Sequence, residues 1–420
     1  MLFELWKHSH PASGVFRQDG QVVVAEHRLA KRVLADAERF SPANALDAIT
    51  PIPAAALREL TRHRFRLPPT LANNGSDSHE RIRSLFGEVF EPSKVEALRP
   101  WLTGLVRRTV GAVAWRLRQG EPVDLDSAVS SQIPLAALSR LMGLELGEAG
   151  EVKRFSRAAL ELFWGRPGPE RQLELAGIVG PYHRLLRSYT ANASSTLGAV
   201  RDREGEEAAT AALFFLLVAG QETTSQFLTV LAHQLIERPE LLDARPAAVV
   251  EEGLRLHSSI TSWRRVAAVD TEIGGLPVKA GESILVWLTA AGADEGVAEC
   301  PHRMVPGQKG SRRHLAFGAG AHRCLGSQLS RMESEVVIAE LGPLLRRCEV
   351  VKPPVSDDNL SFRMPSPLLV AIRLWSCGGC IPAVEARSMP PNPAVWPSLV
   401  SSPIAGRRRL AYNACPRTTR

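Results

Sequence analysis

Apolar residues recur every three to four positions through most of the chain, which is the period of an amphipathic helix. In HRLAKRVLAD, for example, the leucines and the valine fall on one side of a helix. We therefore expect a chain dominated by helices. The same spacing predicts further helices over 79–89, 93–118, 127–141, 148–163, 170–190, about 206–237, 246–257 and about 325–347.

Short segments with β character interrupt this helical pattern. GVFRQDGQVVVAEH reads as a hairpin before the first helix, and WRRVAAVDTEIGGLPVKAGESILVW reads as short strands joined by glycine turns. SFRMPSPLLVAIRLW predicts a last hairpin, whereas the Pro-rich residues 41–76 predict an irregular connection. The expected fold class is mostly α with small β-sheets.

The pattern changes after residue 375, where seven prolines and no helical period follow. We expect one domain over 1–375 and a disordered Pro/Arg-rich tail over 376–420. The tail holds six arginines against one acidic residue, Glu385, and so carries +5 of the formal net charge of +7. The body is close to neutral, which gives little reason to expect a nucleic-acid partner.

Other sequence features bear on the compartment. The start MLFELWKHSHPASG lacks the apolar core of a secretory signal. No apolar run reaches the roughly 18–20 residues that span a bilayer. The six cysteines lack the spacing of a disulfide scaffold. We therefore expect a cytoplasmic protein with reduced cysteines and no membrane partner.

The segment FGAGAHRCLG, 317–326, combines a cysteine with three glycines. A thiolate is a strong soft-metal ligand, and Gly318 and Gly320 permit a tight turn before Cys324. Gly326 opens the following helix, whose N-terminus stabilises negative charge on sulfur, and Phe317 can shield the site. A lone cysteine would favour a structural role instead. The complete pattern favours a metal-ligating thiolate that faces a flat cofactor.

At every fixed position this decapeptide resembles the haem-binding loop of the cytochrome P450 family of haem-thiolate monooxygenases. The resemblance covers residues 15–375 and recurs at four further segments in the expected order. It implies the cytochrome P450 fold, heme b as cofactor and Cys324 as the axial iron ligand.

The first of these segments is EEGLRLHSS, in which Glu252 and Arg255 lie three residues apart on one helix face. Such a pair is by itself usually a solvated surface pair. The resemblance implies a buried structural triad that Arg303 of CPHRM completes.

The second segment is AGQETT, within the long helix. The resemblance implies that Ala219 and Gly220 leave room for O2 beside the helix, and that Glu222 and Thr223 supply protons as catalytic residues. The alternative is an ordinary polar patch in a core helix.

Two more segments carry groups that the resemblance assigns to the haem propionates. In SHERIRSLF, His79 and Arg83 share a helix face, although GSDS precedes the histidine where the family has Asp-Pro-Pro-Glu. In RRVAAVD, Arg265 is the expected partner and Arg264 the rival assignment. His322 supplies a further contact.

The implied function is a monooxygenase that activates O2 and inserts one oxygen atom into a small, largely apolar organic substrate. The expected electron donors are a ferredoxin and its NAD(P)H-dependent reductase, and the setting is bacterial biosynthesis or catabolism. Substrate contacts are expected from Phe215, Ala219, Ile260 and Met364.

Two other functions remain open from sequence. A peroxide-driven peroxygenase usually replaces the acid–threonine pair that this chain keeps. A haem-based gas sensor or carrier needs no proton relay and normally has an output domain.

Overall fold

The computed structural model describes residue 3 and residues 14–145 and 147–373. The tail predicted over 376–420 lies outside the described residues.

The predicted helices form close to their expected positions, because each buries one apolar face. In α1, for example, Leu29, Val33 and Leu34 are buried. The helices of the described chain are α1 His27–Ala35, α2 Ala54–Arg62, α3 Asp77–Val89, α4 Pro92–Ala97, α5 Arg99–Arg118, α6 Gln132–Met142, α7 Ala149–Trp164, α8 Pro169–Ala191, α9 Thr196–Glu204, α10 Glu206–Leu216, α11 Thr223–Glu237, α12 Pro246–His257, α13 Leu288–Gly292 and α14 Ser327–Leu345.

Twelve short strands in the described chain form four small sheets. They are β1 Val15–Gln18, β2 Gln21–Val24, β3 Phe40–Ser41, β4 Val123–Asp124, β5 Trp263–Ala267, β6 Thr271–Ile273, β7 Leu276–Val278, β8 Ser283–Val286, β9 Cys348–Lys352, β10 Val355–Ser356, β11 Pro365–Ser366 and β12 Leu369–Ile372. The largest sheet has the order β1-β2-β8-β5-β3. Only β2 and β8 pair in parallel within it. The predicted class, mostly α with small sheets, is confirmed.

The long helix predicted over 206–237 is continuous but changes its winding in the middle. α10 and α11 are joined by a π-helical turn, Leu217–Glu222, which contains the AGQE segment. A π-turn widens the helix by one residue and often marks a functional site. α11 then packs against α12 and α14, so the widened turn lies inside the helical core.

Three local predictions are wrong. The connection over 41–76 contains α2, which starts directly after Pro53 and buries Ala56 and Leu60 one helical turn apart. The helix expected over 93–118 is divided at Leu98 into α4 and α5. The last hairpin does not form, because β11 pairs with β10 and β12 pairs with β9 and β4.

The cysteines and the helix lengths bear on the expected compartment. Cys324 and Cys348 have free thiols, but Cys300 is disulfide-bonded, so the expectation of reduced cysteines is wrong there. Among the described residues, every helix is too short or too polar to cross a membrane.

Candidate functional site

A large cavity lies between the π-turn of the long helix and the loop that precedes α14. It encloses about 1470 Å³ of unfilled space, part of which opens to solvent. Cys324 and its glycine-rich loop form one wall, and Phe215, Ala219 and Gly220 form part of another. Most of the lining side chains are apolar, so the cavity offers a largely apolar space beside a single thiol.

Backbone hydrogen bonds hold the cysteine loop in a tight turn. The Cys324 N–H donates to the Phe317 carbonyl at 2.9 Å, and the Gly318 N–H donates to the Leu315 carbonyl at 2.8 Å. Gly320 has φ +71°, and a Cβ atom there would lie 2.6 Å from the Cα of Ala35 at the end of α1. Only glycine fits this position, which explains one of the glycines in the motif.

The Cys324 side chain retains accessible surface, but it is a cavity-lining group surrounded by protein. Burial therefore raises the pKa of its thiol. A hydrogen bond from the Gly326 backbone and the positive charges of Arg83, Arg331 and Arg323 act in the opposite direction. The surroundings thus favour the thiolate once a further positive charge lies at the sulfur.

Glu252 and Arg255 form a fully buried ion pair at 2.7 Å beneath this loop. Arg255 also donates to the carbonyls of Gly292, Pro301, Cys300 and Arg303. The Glu252 carboxylate accepts hydrogen bonds from the backbone of Val305 and the side chains of Gln308 and Ser311. One ion pair therefore anchors the irregular segment 292–311 that leads to the cysteine loop.

The predicted third member of this cluster is wrong in its chemistry. Arg303 contributes its carbonyl oxygen, which accepts from Arg255 at 3.0 Å, while its side chain is exposed. Gln308 and Ser311 occupy the place beside the Glu252 carboxylate that the resemblance assigned to a guanidinium. Neutral donors suffice there because Arg255 already balances the carboxylate charge.

A second buried ion cluster, which the sequence reasoning missed, supports the loop from the other side. Glu251 accepts hydrogen bonds from Arg331 at 2.6 Å and from His314 at 3.1 Å. Burial alone would raise the pKa of Glu251, but these two partners hold it at about 2. Arg331 lies 4.4 Å over the ring of Phe317. The sequence did offer a signal for this cluster. Glu251 and Glu252 are adjacent on a helix and therefore point in different directions, so each needs its own basic partner.

Cationic side chains gather at one edge of the cavity. Arg83, Arg265 and His322 line it, and Arg83 donates to the carbonyl of Arg323 at 2.6 Å. Burial lowers the pKa of Arg265 to about 10, and burial next to His79 lowers the pKa of His322 to about 4. Among the described residues, neither arginine has a carboxylate partner within ion-pair distance.

The structure separates the rival assignments at this edge. Arg264 points elsewhere and donates to the carbonyls of Ala45 and Asp47, because adjacent residues of a strand face opposite ways. His79 is not a lining residue; it stacks on His322 with ring centroids 4.1 Å apart. Its Nε2 atom is buried and has no hydrogen-bond partner.

The two residues expected to supply protons have different surroundings. Thr223 lines the cavity, and its hydroxyl donates to the Ala219 carbonyl at 2.5 Å. Glu222 is fully buried and is not a lining residue. Its carboxylate lies 3.3 Å from the Lys153 ammonium and accepts from Gln226 at 3.1 Å. The π-turn therefore directs these neighbours to different sides of the helix.

Comparison with known proteins identifies this constellation. A putative cytochrome P450 140 of Mycobacterium tuberculosis is 32% identical over 355 residues, which cover 78% of each chain. The chain belongs to the cytochrome P450 family. The family profile itself matches residues 247–373 of this P450, the part that contains both ion clusters and the cysteine loop.

Further relatives of this P450 differ in how much of their length is covered. Beta-dihydromenaquinone-9 omega-hydroxylase of Mycobacterium tuberculosis is 28% identical over 323 residues, 72% of this chain. The chain spans only 65% of the length of that relative. In three dimensions, cytochrome P450 CREJ in complex with (4-ethylphenyl) dihydrogen phosphate gives a TM-score of 0.80 at 27% identity, covering 86% of this chain and 94% of CREJ.

The residues of this P450 fit the haem-thiolate group that its family carries. A free thiol, Cys324, faces a cavity with glycine-rich backbone beside it. The buried Nε of Arg265 and Nε2 of His79 both lack partners near that cavity edge. Orphaned buried donors of this kind are costly unless a ligand satisfies them, and a dianionic cofactor edge has the right chemistry.

One of the four expected substrate contacts does not line the cavity. Phe215, Ala219 and Ile260 line the cavity as expected, but Met364 does not. Met364 is 1% exposed and packs where its backbone N–H donates to Gln226 and its sulfur contacts Asn359.

A buried carboxyl group also lines the cavity, and sequence reasoning missed it. Glu333 of α14 is fully buried, and neither carboxyl oxygen has a hydrogen-bond partner. Burial raises its pKa well above the usual range, and only nearby Thr224 acts against this shift. Burial therefore favours the neutral carboxylic acid of Glu333 over its carboxylate.

The Glu252 cluster yields a stability prediction. Glu252→Ala leaves the Arg255 guanidinium buried without its counter-charge, which typically costs about 3–5 kcal/mol. We expect the free energy of unfolding in urea to fall by that amount. The matched control is Glu295→Ala at an exposed glutamate, for which we expect a change within about 0.5 kcal/mol. Equal stabilities for the two variants would contradict the anchoring role of Glu252.

Proposed function

We propose that this P450 is a monooxygenase with heme b held by Cys324. It inserts one atom of O2 into a small, largely apolar substrate, and two electrons and two protons reduce the other atom to water. The observation that carries the proposal is the free thiol of Cys324 in a rigid loop at the wall of a large apolar cavity. When bound, the haem supplies the redox chemistry of oxygen activation, which thiolate ligation favours.

The protein's own groups hold the cofactor from two sides. Cys324 provides the thiolate ligand, and its loop is fixed by the clusters around Glu252 and Glu251. At the cationic edge, Arg83, Arg265 and His322 would bind the propionates, and His79 would support His322 through the contact between their rings. Phe317, Gly318 and Gly326 line the cavity beside the thiol and provide the apolar, closely approaching surface.

Thr223 orients a proton donor at the cavity wall, next to the small residues Ala219 and Gly220. Glu222 contributes from outside the cavity, where Lys153 and Gln226 hold its carboxylate. Glu333 places a second carboxyl group at the wall, where burial favours its protonated form. We infer that protons reach the cavity through Thr223 and that the two buried carboxyl groups supply them.

The lining of the cavity supports an apolar substrate. Phe215, Ile260, Trp164, Trp263 and Phe362 give it a mainly aromatic and aliphatic wall. No carboxyl group other than Glu333 is among the described lining residues, and burial disfavours the charged form of Glu333. A relative named as a hydroxylase supports oxygen insertion as the reaction.

We further propose a ferredoxin and its NAD(P)H-dependent reductase as electron donors. Arg312, Arg313 and Arg323 are exposed on the segments next to Cys324. Ferredoxins are typically acidic, and complementary charge speeds such encounters.

The function is tested by turnover under ¹⁸O₂ with a candidate apolar substrate that shifts the haem spectrum. With NAD(P)H, ferredoxin and reductase, we expect one labelled oxygen atom per product molecule. Turnover with hydrogen peroxide alone at an equal rate would instead indicate a peroxygenase. Reversible O2 binding without product under both conditions would indicate a gas carrier or sensor.

Thr223→Ala tests the proton route. Without the hydroxyl, proton delivery falls while haem and substrate binding remain, so we expect the peroxide released per NAD(P)H consumed to rise about tenfold or more, within the range of general acid catalysis. Thr223→Ser keeps the hydroxyl and should retain the wild-type ratio. An unchanged ratio in the alanine variant would exclude Thr223 from the route.

A further inference from the structure

A second cavity lies beside the C-terminal end of α12, and Cys324 is not among its lining residues. It encloses about 930 Å³ of unfilled space, part of it open to solvent, at the C-terminal ends of α11 and α12. Arg238, His257 and Arg363 line it, together with Gln234 and Thr289. No aspartate or glutamate is among its described lining residues. The cavity therefore gathers basic groups without a compensating acid.

Arg363 is half-buried at the wall of this cavity. Its Nε donates to the Ser258 carbonyl at 2.9 Å and its Nη2 donates to the Leu256 carbonyl at 3.2 Å. These bonds complete the end of α12, but they leave Nη1 without a hydrogen bond and the positive charge without a carboxylate. Burial correspondingly lowers the pKa of Arg363 to about 10. A buried guanidinium normally has an anionic partner.

Arg238 adds a second guanidinium whose hydrogen-bond partners carry no negative charge. Its Nη2 donates to the Gln234 side chain at 2.7 Å and contacts the Met304 sulfur at 3.7 Å. Both of these partners are neutral. Among the described residues, no carboxylate lies within ion-pair distance of Arg238 or Arg363.

The pKa of His257 shows that the cavity is electrostatically positive. Burial, together with the nearby basic groups Arg363, Arg238, Arg255 and His233, lowers this pKa to about 3. Every charged group that influences His257 is therefore basic. The imidazole stays neutral, so it can donate one hydrogen bond to an acceptor in the cavity.

We propose that this cavity is a binding site for a small oxyanion, a phosphate or carboxylate group, held by Arg363 and Arg238 and hydrogen-bonded by His257. Two guanidinium groups provide several N–H donors in the planar arrangement that matches such oxygens. Helix capping explains two donors of Arg363, but not the accumulation of charge. This inference is independent of the oxygen chemistry proposed above.

The site lies directly behind the wall of the main cavity. Arg363 binds the carbonyl of Ser258, and Ser258, Ser259 and Ile260 line the main cavity, as does Phe362 next to Arg363. An anion bound by Arg363 would therefore contact the side chain that holds the backbone of Ser258, which is part of the wall of the main cavity.

The test is thermal unfolding of the haem-loaded protein with inorganic phosphate or succinate, each against sodium chloride at equal ionic strength. We expect a saturable rise of roughly 2 °C with at least one of them. The phosphate and succinate arms distinguish the two sources of oxyanion. Arg238→Gln should abolish the saturable rise, whereas the exposed-arginine control Arg58→Gln should retain it.

Calorimetric titration of the same ligands provides the second measurement. It keeps the test decisive if Arg363→Gln is too unstable to fold, since Arg238→Gln leaves the end of α12 capped. We expect at least a tenfold weaker affinity in Arg238→Gln. A linear, non-saturating rise that is equal in wild type and Arg238→Gln would be a general salt effect and would overturn the proposal. Equal affinities in the two proteins would overturn it as well.

Discussion

The buried ion pair between Glu252 and Arg255 is the interaction on which the site depends most. It lies in the core, where an unpaired charge is costly, and segment 292–311 closes around it and satisfies the remaining donors and acceptors of the pair. That closure delivers the chain to the cysteine loop. The neighbouring Glu251 cluster then fixes Arg331 and His314 around Phe317. Two adjacent glutamates on α12 thus position Cys324 without touching it.

The long helix is subject to a different constraint, because it packs in the hydrophobic core and also forms part of the cavity wall. The π-turn at Leu217–Glu222 resolves this by placing Thr223 at the cavity and the Glu222 carboxylate in a buried basic environment. On the other side, α14 carries Glu333 to the wall with no partner. Acidic groups near the cavity therefore either pair with basic groups outside it, as Glu222 does, or are buried so that the charged form is disfavoured, as for Glu333.

Most helices, the first hairpin and the thiol loop were predictable, because periodicity and the motif around Cys324 are local properties. The final hairpin was not, since β12 finds β9 and β4 through tertiary contacts. The roles of single side chains were predictable only by resemblance. It named Arg265, which lines the cavity, over Arg264, which does not, but it gave Arg303 a guanidinium contact that Gln308 and Ser311 replace. Glu333 was missed because a lone glutamate on a helix gives no sequence signal of burial.

The central claim, that the Cys324 thiolate ligates haem iron, is tested most directly by the visible spectrum of the reduced, CO-bound protein. Thiolate ligation shifts the Soret band strongly to the red, so we expect this band in the wild type and in the control Cys348→Ala, which removes a buried cysteine of β9 outside the loop. We expect its loss in Cys324→Ala with most helices still folded. A red-shifted band that persists in Cys324→Ala would contradict the account.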